Sequence, residues 1–167
     1  MAYRKEFFLQ NWLQNRIGLS FPRMQTLPLP YFAYGSNMDP VQMRVRCPGA
    51  RVVGTATLAN HRWIINSAGY ATVIPSPGQI VYGVLWELTP EHLAALDEYE
   101  GLQEDIYWRT EITVDSLTEL KPVRAIIYFA RSEIPGQPVP DYTEHIIRTA
   151  KEFVFPDSYV RELAQWE

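Results

Sequence analysis

One acidic residue, Glu100, falls on a side of a predicted helix where a charge is unusual. A helix is predicted from residue 90 to about residue 100, and helical positions are about 100° apart. With Leu93 at zero, Leu96 falls at about 300° and Glu100 at about 340°, so both share the apolar stripe. Glu98 falls at about 140° and faces water. Burial raises the pKa of a carboxyl, as does the negative end of a helix, and such a group suits proton transfer near neutral pH.

Two other interpretations of Glu100 stay open at this point. The helix end could fray and turn the carboxylate to solvent, or the carboxylate could pair with a cation such as Arg109. Because a buried charge without a purpose is costly, the functional interpretation is slightly favoured.

The segment YFAYGSN (31–37) is a second candidate for chemistry, because a strand-like run ends there in Gly35, Ser36 and Asn37. Glycine adopts positive φ freely and asparagine tolerates it, so successive N–H groups of this turn can form an anion-binding nest. Ser36 and Asn37 add side-chain donors. An ordinary turn after a strand is the alternative.

Polar aromatic residues form a third candidate set, since a tyrosine seats an apolar ring while its hydroxyl fixes a ligand. The set comprises Tyr34, Tyr99, Tyr107 and Tyr142, with Trp86 and Trp108. The chain has 10 Tyr, so any one of them alone carries little weight.

Several kinds of site are not predicted. Cys47 is the only cysteine, so an internal disulfide is excluded, and a reducing cytoplasm is expected. His61, His92 and His145 match no metal-ligand spacing. No phosphate loop, dinucleotide fingerprint or Ser/His/Asp order occurs, and Ser36 lacks the second glycine of a nucleophile elbow.

The composition indicates one globular domain. The chain has 167 residues, 47% of them hydrophobic, and 19 acidic against 15 basic side chains give a formal charge of -4. The acidic surplus argues against a nucleic-acid partner, and no apolar run reaches the roughly 18 residues of a membrane span. The 13 prolines, above the usual share of about 5%, favour turns and short strands over a helical bundle.

The elements that must position these residues are predicted to be about seven short strands and a few helices. After the run at 31–34, strands are expected at 51–58, 61–66, 70–75, 79–88, 109–114 and 123–130, with residues 59 and 60 as a tight link. Gly83 indicates a bulge or a close backbone approach. Together they suggest a curved sheet or small barrel.

Helices are predicted wherever capping signals precede apolar periodicity. Asp39 and Thr89 are natural N-caps, each followed by a proline at the first helical position, and Gly101 ends the second of these helices. Two more helices are expected after Asp141 and between residues 157 and 166. Residues 1–30 differ in composition and are predicted to be an N-terminal extension, with a short helix near 6–17; the extension could be a lid, a dimer arm or a segment upstream of a start near Met24.

In this order and spacing, the motifs resemble those of the γ-glutamylcyclotransferase family. They are YFAYGSNM (31–38), ATVIPSPG (71–78), VYGVLW (81–86) and LDEYEG (96–101), and the resemblance covers about residues 31–142. It implies an α+β fold, a small mixed β-barrel flanked by helices over residues 31–167. It also implies conversion of a γ-glutamyl amide to 5-oxoproline and a free amine, without metal or cofactor.

The resemblance also assigns roles by position. Glu100 is the expected catalytic acid/base. The expected substrate-binding residues are Tyr31, Phe32, Ala33, Tyr34, Gly35, Ser36, Asn37, Tyr107 and Tyr142. The substrate's own α-amine is the nucleophile, so one carboxylate of raised pKa takes its proton and returns one to the leaving nitrogen.

Three alternatives stay open. The leaving group could be an amino acid or peptide, as in a glutathione-type substrate, or an amine or a γ-glutamyl-protected metabolite. The turn at 35–37 could bind the oxyanion or the α-carboxylate. A non-catalytic module of the same fold that binds a small acidic metabolite is the alternative from another class. The oligomeric state is not readable from the sequence.

Overall fold

The computed structural model describes residues 29–166. The elements in chain order are β1 (Tyr31–Ala33), a 3-10 turn (Ser36–Met38), α1 (Pro40–Arg46), β2 (Arg51–Ile65), β3 (Ala71–Glu87), α2 (Pro90–Tyr99), β4 (Tyr107–Ser116), β5 (Lys121–Ala130), α3 (Tyr142–Glu152), α4 (Asp157–Leu163) and a 3-10 turn (Ala164–Trp166). The predicted short helix near 6–17 lies outside the described residues.

The five strands close into a barrel in the order β1, β3, β2, β4, β5. Closure is made by β1, which pairs antiparallel with β3 and parallel with β5 at Tyr31 and Ile126. The N–H of Ile126 donates to the carbonyl of Pro30 at 2.8 Å beside this pair. The small mixed barrel flanked by helices is therefore confirmed.

The prediction of separate strands at 51–58 and 61–66 is wrong, because both belong to β2. The expected link is instead a bulge, where the register with β3 shifts between Ala59 and His61. Asn60 takes a left-handed φ of 58°, and its Oδ1 accepts from the N–H of Gly78 at 3.0 Å. A bulge adds a residue to one strand without reversing the chain.

The strands predicted at 70–75 and 79–88 are likewise one strand, β3, so the barrel has five strands and not seven. Pro75 pairs with His61 and Ile80 with Ala59, so the ladder resumes on both sides of the bulged stretch. The intervening residues are largely exposed, where proline and glycine interrupt pairing at little cost.

Gly83 makes the close approach that its position predicts. A Cβ placed there would lie 2.5 Å from the Phe32 ring and from the carbonyl oxygen of Ala33. Because β3 carries no side chain at this position, β1 can lie close against it just before the turn at residues 35–37.

Capping places the helices as predicted. The Asp39 side chain accepts from the N–H of Val41 at 2.7 Å before α1, and the Thr89 hydroxyl accepts from His92 before α2. Gly101, at a φ of 64°, follows the end of α2. None of the helices within residues 29–166 is long and apolar enough to cross a membrane.

Candidate active site

Glu100 lies directly after the last residue of α2, where its carboxylate reaches a cavity at one end of the barrel. It is half-buried, whereas Glu98, two residues earlier, is exposed, as the helical periodicity predicts. The Oε1 of Glu100 accepts a hydrogen bond from Nδ2 of Asn37 at 2.8 Å. Arg109 pairs with Asp97 and not with Glu100, so the alternative pairing raised for Glu100 is not formed.

The surroundings of Glu100 raise the pKa of its carboxyl from 4.5 to about 7. Burial is the largest cause, since it penalises the charged form. The hydrogen bond from Asn37 and the positive charge of Arg46 act in the opposite direction and keep the rise moderate. A group of this pKa can both accept and return a proton at neutral pH.

The turn after β1 brings Gly35, Ser36 and Asn37 to the same cavity. The turn does not use the positive φ that glycine permits: Gly35 has a φ of −119°, and the next residues form a 3-10 turn. Glycine is required there for space: a Cβ at Gly35 would lie 3.2 Å from the Cβ of Ala71 and 3.4 Å from the Tyr142 hydroxyl. The absent side chain lets the Tyr142 hydroxyl approach the turn.

Four of the predicted tyrosines form the buried wall of the cavity, and each hydroxyl has a partner. Asn37 Nδ2 donates to Tyr31 at 3.0 Å, and Tyr34 donates to the carbonyl of Tyr128 at 2.6 Å. The hydroxyls of Tyr107 and Tyr142 bind the two backbone groups of Ala71. Tyr107 donates to the carbonyl of Ala71 at 2.8 Å, and Tyr142 accepts from the N–H of Ala71 at 3.2 Å.

Burial raises the pKa of each of these phenols, for Tyr142 to about 12. They therefore stay neutral at physiological pH, so this part of the cavity wall carries hydroxyls in place of charges.

Not every predicted residue reaches the cavity. Phe32 and Ala33 are completely buried, and their side chains belong to the core between β1 and β3. Trp86 is a core residue as well, and Trp108 stacks on Phe129 on the outside of the sheet. The cavity contains the other predicted residues, namely Tyr31, Tyr34, Gly35, Ser36, Asn37, Tyr99, Glu100, Tyr107 and Tyr142.

Further lining residues were missed by the sequence motifs. They are Gln42, Arg46, Tyr70, Ala71, Ile106 and Tyr128. The hydroxyl of Tyr128 donates to Oδ1 of Asp97 at 2.7 Å, and Arg109 pairs with the same carboxylate. The six lining residues come from one helix, two strands and two loops, so only the barrel topology brings them together.

The cavity measures about 540 Å³ and combines aromatic walls, neutral hydroxyls, one carboxylate and one guanidinium. This volume suits a small polar molecule held against apolar rings. Among residues 29–166, no three His, Cys, Asp or Glu side chains gather closely enough to hold a metal ion. The chemistry that the site itself offers is proton transfer by a carboxyl of raised pKa beside hydrogen-bond donors.

Comparison with known proteins gives one family. A family model described as "Gamma-glutamyl cyclotransferase, AIG2-like" matches residues 31–146. The gamma-glutamylcyclotransferase of Mus musculus is 32% identical over 146 residues, which cover 80% of this chain and 76% of that protein. The Homo sapiens gamma-glutamylcyclotransferase is 31% identical over 143 residues with the same coverage.

Solved structures agree in fold. One called "Gamma-glutamyl cyclotransferase" superposes with a TM-score of 0.76 at 31% identity, over 83% of this chain and 88% of that one. YkqA from Bacillus subtilis superposes with a TM-score of 0.70 at 20% identity, over 93% of this chain and 57% of that one, a likeness of fold alone.

Proposed function

This chain belongs to the gamma-glutamyl cyclotransferase, AIG2-like family, and on that premise we propose that it cyclises a small γ-glutamyl amide to 5-oxoproline and releases the amine. It is an enzyme of the γ-glutamylcyclotransferase type. We propose Glu100 as the group that moves the protons. The observation that carries this role is the half-buried carboxyl at the cavity wall, with its pKa raised to about 7.

The proposed reaction uses the nucleophile of the substrate. The α-ammonium of the γ-glutamyl group gives a proton to the Glu100 carboxylate, and the freed amine attacks its own γ-carbonyl carbon. A five-membered ring forms and the carbonyl oxygen takes the negative charge. The original amide C–N bond then breaks while Glu100 returns its proton to the leaving nitrogen. The regenerated carboxylate takes the extra proton that the attack left on the ring nitrogen and passes it to the released amine. The products are therefore a neutral lactam and an ammonium, and the carboxylate is free again.

The tyrosine wall and the turn at Gly35–Ser36–Asn37 hold the substrate in a ring-closing geometry. Tethering the amine near the carbonyl removes much of the entropic barrier, and this is the main task when the nucleophile is already part of the substrate. The donors of the turn bind either the developing oxyanion or the α-carboxylate. The neutral phenols leave Glu100 as the base, because none of them ionises near pH 7.

Three classes of leaving group fit the proposed reaction. An amino acid or peptide leaving group, an amine and a γ-glutamyl-protected metabolite all use the same carboxylate and the same cavity wall. We place the reaction in the cytoplasm, consistent with Cys47 as a free, buried thiol.

The test is 5-oxoproline release from γ-glutamyl dipeptides, glutathione and γ-glutamyl amines, each measured with purified full-length protein. The expected result is metal-independent turnover of at least one class, with 5-oxoproline and free amine formed in equal amounts. Hydrolysis to free glutamate, or no turnover of any class, would contradict the proposal. Thermal stabilisation by the same compounds without turnover would indicate binding alone.

A further inference from the structure

Arg46, in the last turn of α1, is a cavity-lining cation that the proposed proton transfers do not use. Its Nη1 donates to Oγ of Ser36 at 3.2 Å and to Oδ1 of Asn37. Its Nη2 donates to the hydroxyl of Tyr99, and its Cζ lies 3.6 Å from the centroid of the Tyr99 ring. The guanidinium thus contacts both the turn after β1 and the last residue of α2.

The contact with Asn37 decides which way the Asn37 amide faces. An amide side chain has an acceptor end and a donor end, whereas a guanidinium only donates. Arg46 therefore takes the Oδ1 end and leaves Nδ2 for Tyr31 at 3.0 Å and for Oε1 of Glu100 at 2.8 Å. Without the guanidinium, the amide could turn its acceptor end toward the carboxylate.

We propose that Arg46 is a positioning residue for the cyclisation, which acts through Asn37 to orient the Glu100 carboxylate and through Tyr99 to hold the end of α2 in place. The catalytic part of this inference rests on the proposed function, whereas the orientation of Glu100 does not. Tyr99 and Glu100 are adjacent, so a clamp on one restrains the other.

The positive charge of Arg46 also affects the titration of Glu100. It lowers the pKa of Glu100, whereas burial raises it. The other titratable groups turned toward the carboxylate are buried phenols that stay neutral, namely Tyr31, Tyr34, Tyr107 and Tyr142. Removal of the guanidinium should therefore move the titration of Glu100 to higher pH.

The experiment is a double-mutant cycle of Arg46→Met and Asn37→Ala, with 5-oxoproline release measured from the best substrate of the panel. Arg46→Met should lower kcat about 10- to 100-fold with little change in KM, because misplacement of a catalytic group costs about that much. In the Asn37→Ala background the same change should cost much less, since the two residues act as a unit. Arg44→Met is the matched control, because Arg44 is exposed on the same helix, and it should retain wild-type kinetics.

If the losses in kcat caused by Arg46→Met and Asn37→Ala simply multiply in the double variant, the inference is overturned. An effect of Arg46→Met on KM alone would also overturn it, because Arg46 would then be a direct substrate contact. Arg46→Lys keeps the positive charge but lacks the two donor nitrogens of the guanidinium, so it should keep the wild-type pH profile at a lower kcat. The same variant replaces Arg46→Met in the cycle if Arg46→Met does not fold.

A titration of the Glu100 carboxyl by carbon-13 NMR separates this inference from the proposed function, because it needs no substrate. An upward pKa shift is expected in Arg46→Met and none in Arg44→Met. An unchanged titration in Arg46→Met would overturn the inference even if the enzyme is active, and an inactive wild type with the expected shift would leave only the proposed function refuted.

Discussion

The Nδ2 of Asn37 lies 2.8 Å from Oε1 of Glu100, and this hydrogen bond joins two residues separated by 63 positions in the sequence. It ties the turn that follows β1 to the residue that follows α2, and both residues line the cavity. The donor stabilises the charged carboxylate, whereas burial of the same group favours its neutral form. The balance between them sets the pH range in which Glu100 can act.

The rate should therefore depend on pH near neutrality. In the wild type, kcat/KM should rise with pH through about 7, because Glu100 must be deprotonated to accept the substrate proton. Asn37→Ala removes a donor to the carboxylate, so its rising limb should shift to higher pH, with activity at pH 7 about tenfold or more lower. Steady-state kinetics from pH 5 to 9 measure both. If kcat/KM rises instead near the ordinary pKa of a glutamate, or if Asn37→Ala leaves the midpoint of the rise unchanged, Glu100 is not the base.

The stability of the protein should carry the same signature. Between its ordinary pKa of 4.5 and about 7, Glu100 holds a proton in the folded state that the unfolded chain has released. Its contribution to the free energy of unfolding is thus present at low pH and lost as the pH rises through about 7. The free energy of unfolding of Glu100→Gln, taken relative to that of the wild type, should therefore rise by up to about 3 kcal/mol between pH 5 and pH 8.

Urea unfolding at both pH values measures this difference, with Glu98→Gln as the control because Glu98 is exposed. Parallel behaviour of Glu100→Gln and wild type across this range would show that burial does not shift the Glu100 pKa.

The tyrosine wall should contribute to stability through its hydroxyls. Tyr107→Phe removes the donor to the buried carbonyl of Ala71, and we expect a loss of about 1–2 kcal/mol in the free energy of unfolding. Tyr70, 45% exposed on the same cavity, is the matched control, and Tyr70→Phe should change stability by less than about 0.5 kcal/mol. Equal effects of the two substitutions in chemical denaturation would mean that the hydroxyl of Tyr107 is not a structural donor.

Some of this structure could be predicted from local signals alone. Capping by Asp39 and Thr89 fixed where α1 and α2 begin, and 3.6-residue periodicity placed Glu100 apart from Glu98. Those signals act over a few residues. The strand count was wrong for the same reason, because a bulge at Asn60 and a turn between two strands share the same local residue preferences.

The long-range members of the site could not be predicted in this way. Arg46 is one of two basic residues in α1, and nothing in its neighbours shows that it faces a tyrosine from α2. Tyr128 on β5 reaches Asp97 on α2 across 31 positions of the sequence, a contact that no local signal indicates. Glycine permits a positive φ, but at Gly35 it serves to make room for Tyr142, which only the folded structure shows.

The central claim is that one carboxyl, Glu100, moves the protons of the cyclisation, and 5-oxoproline release by Glu100→Gln beside Glu98→Gln tests it most directly. Glutamine keeps the size and the polarity of the side chain but cannot exchange a proton. With folding verified by circular dichroism, Glu100→Gln should lose at least about 100-fold in kcat, in line with the upper part of the range for general acid–base catalysis, while Glu98→Gln keeps wild-type turnover. Wild-type turnover by Glu100→Gln, or a comparable loss in Glu98→Gln, would contradict the assignment.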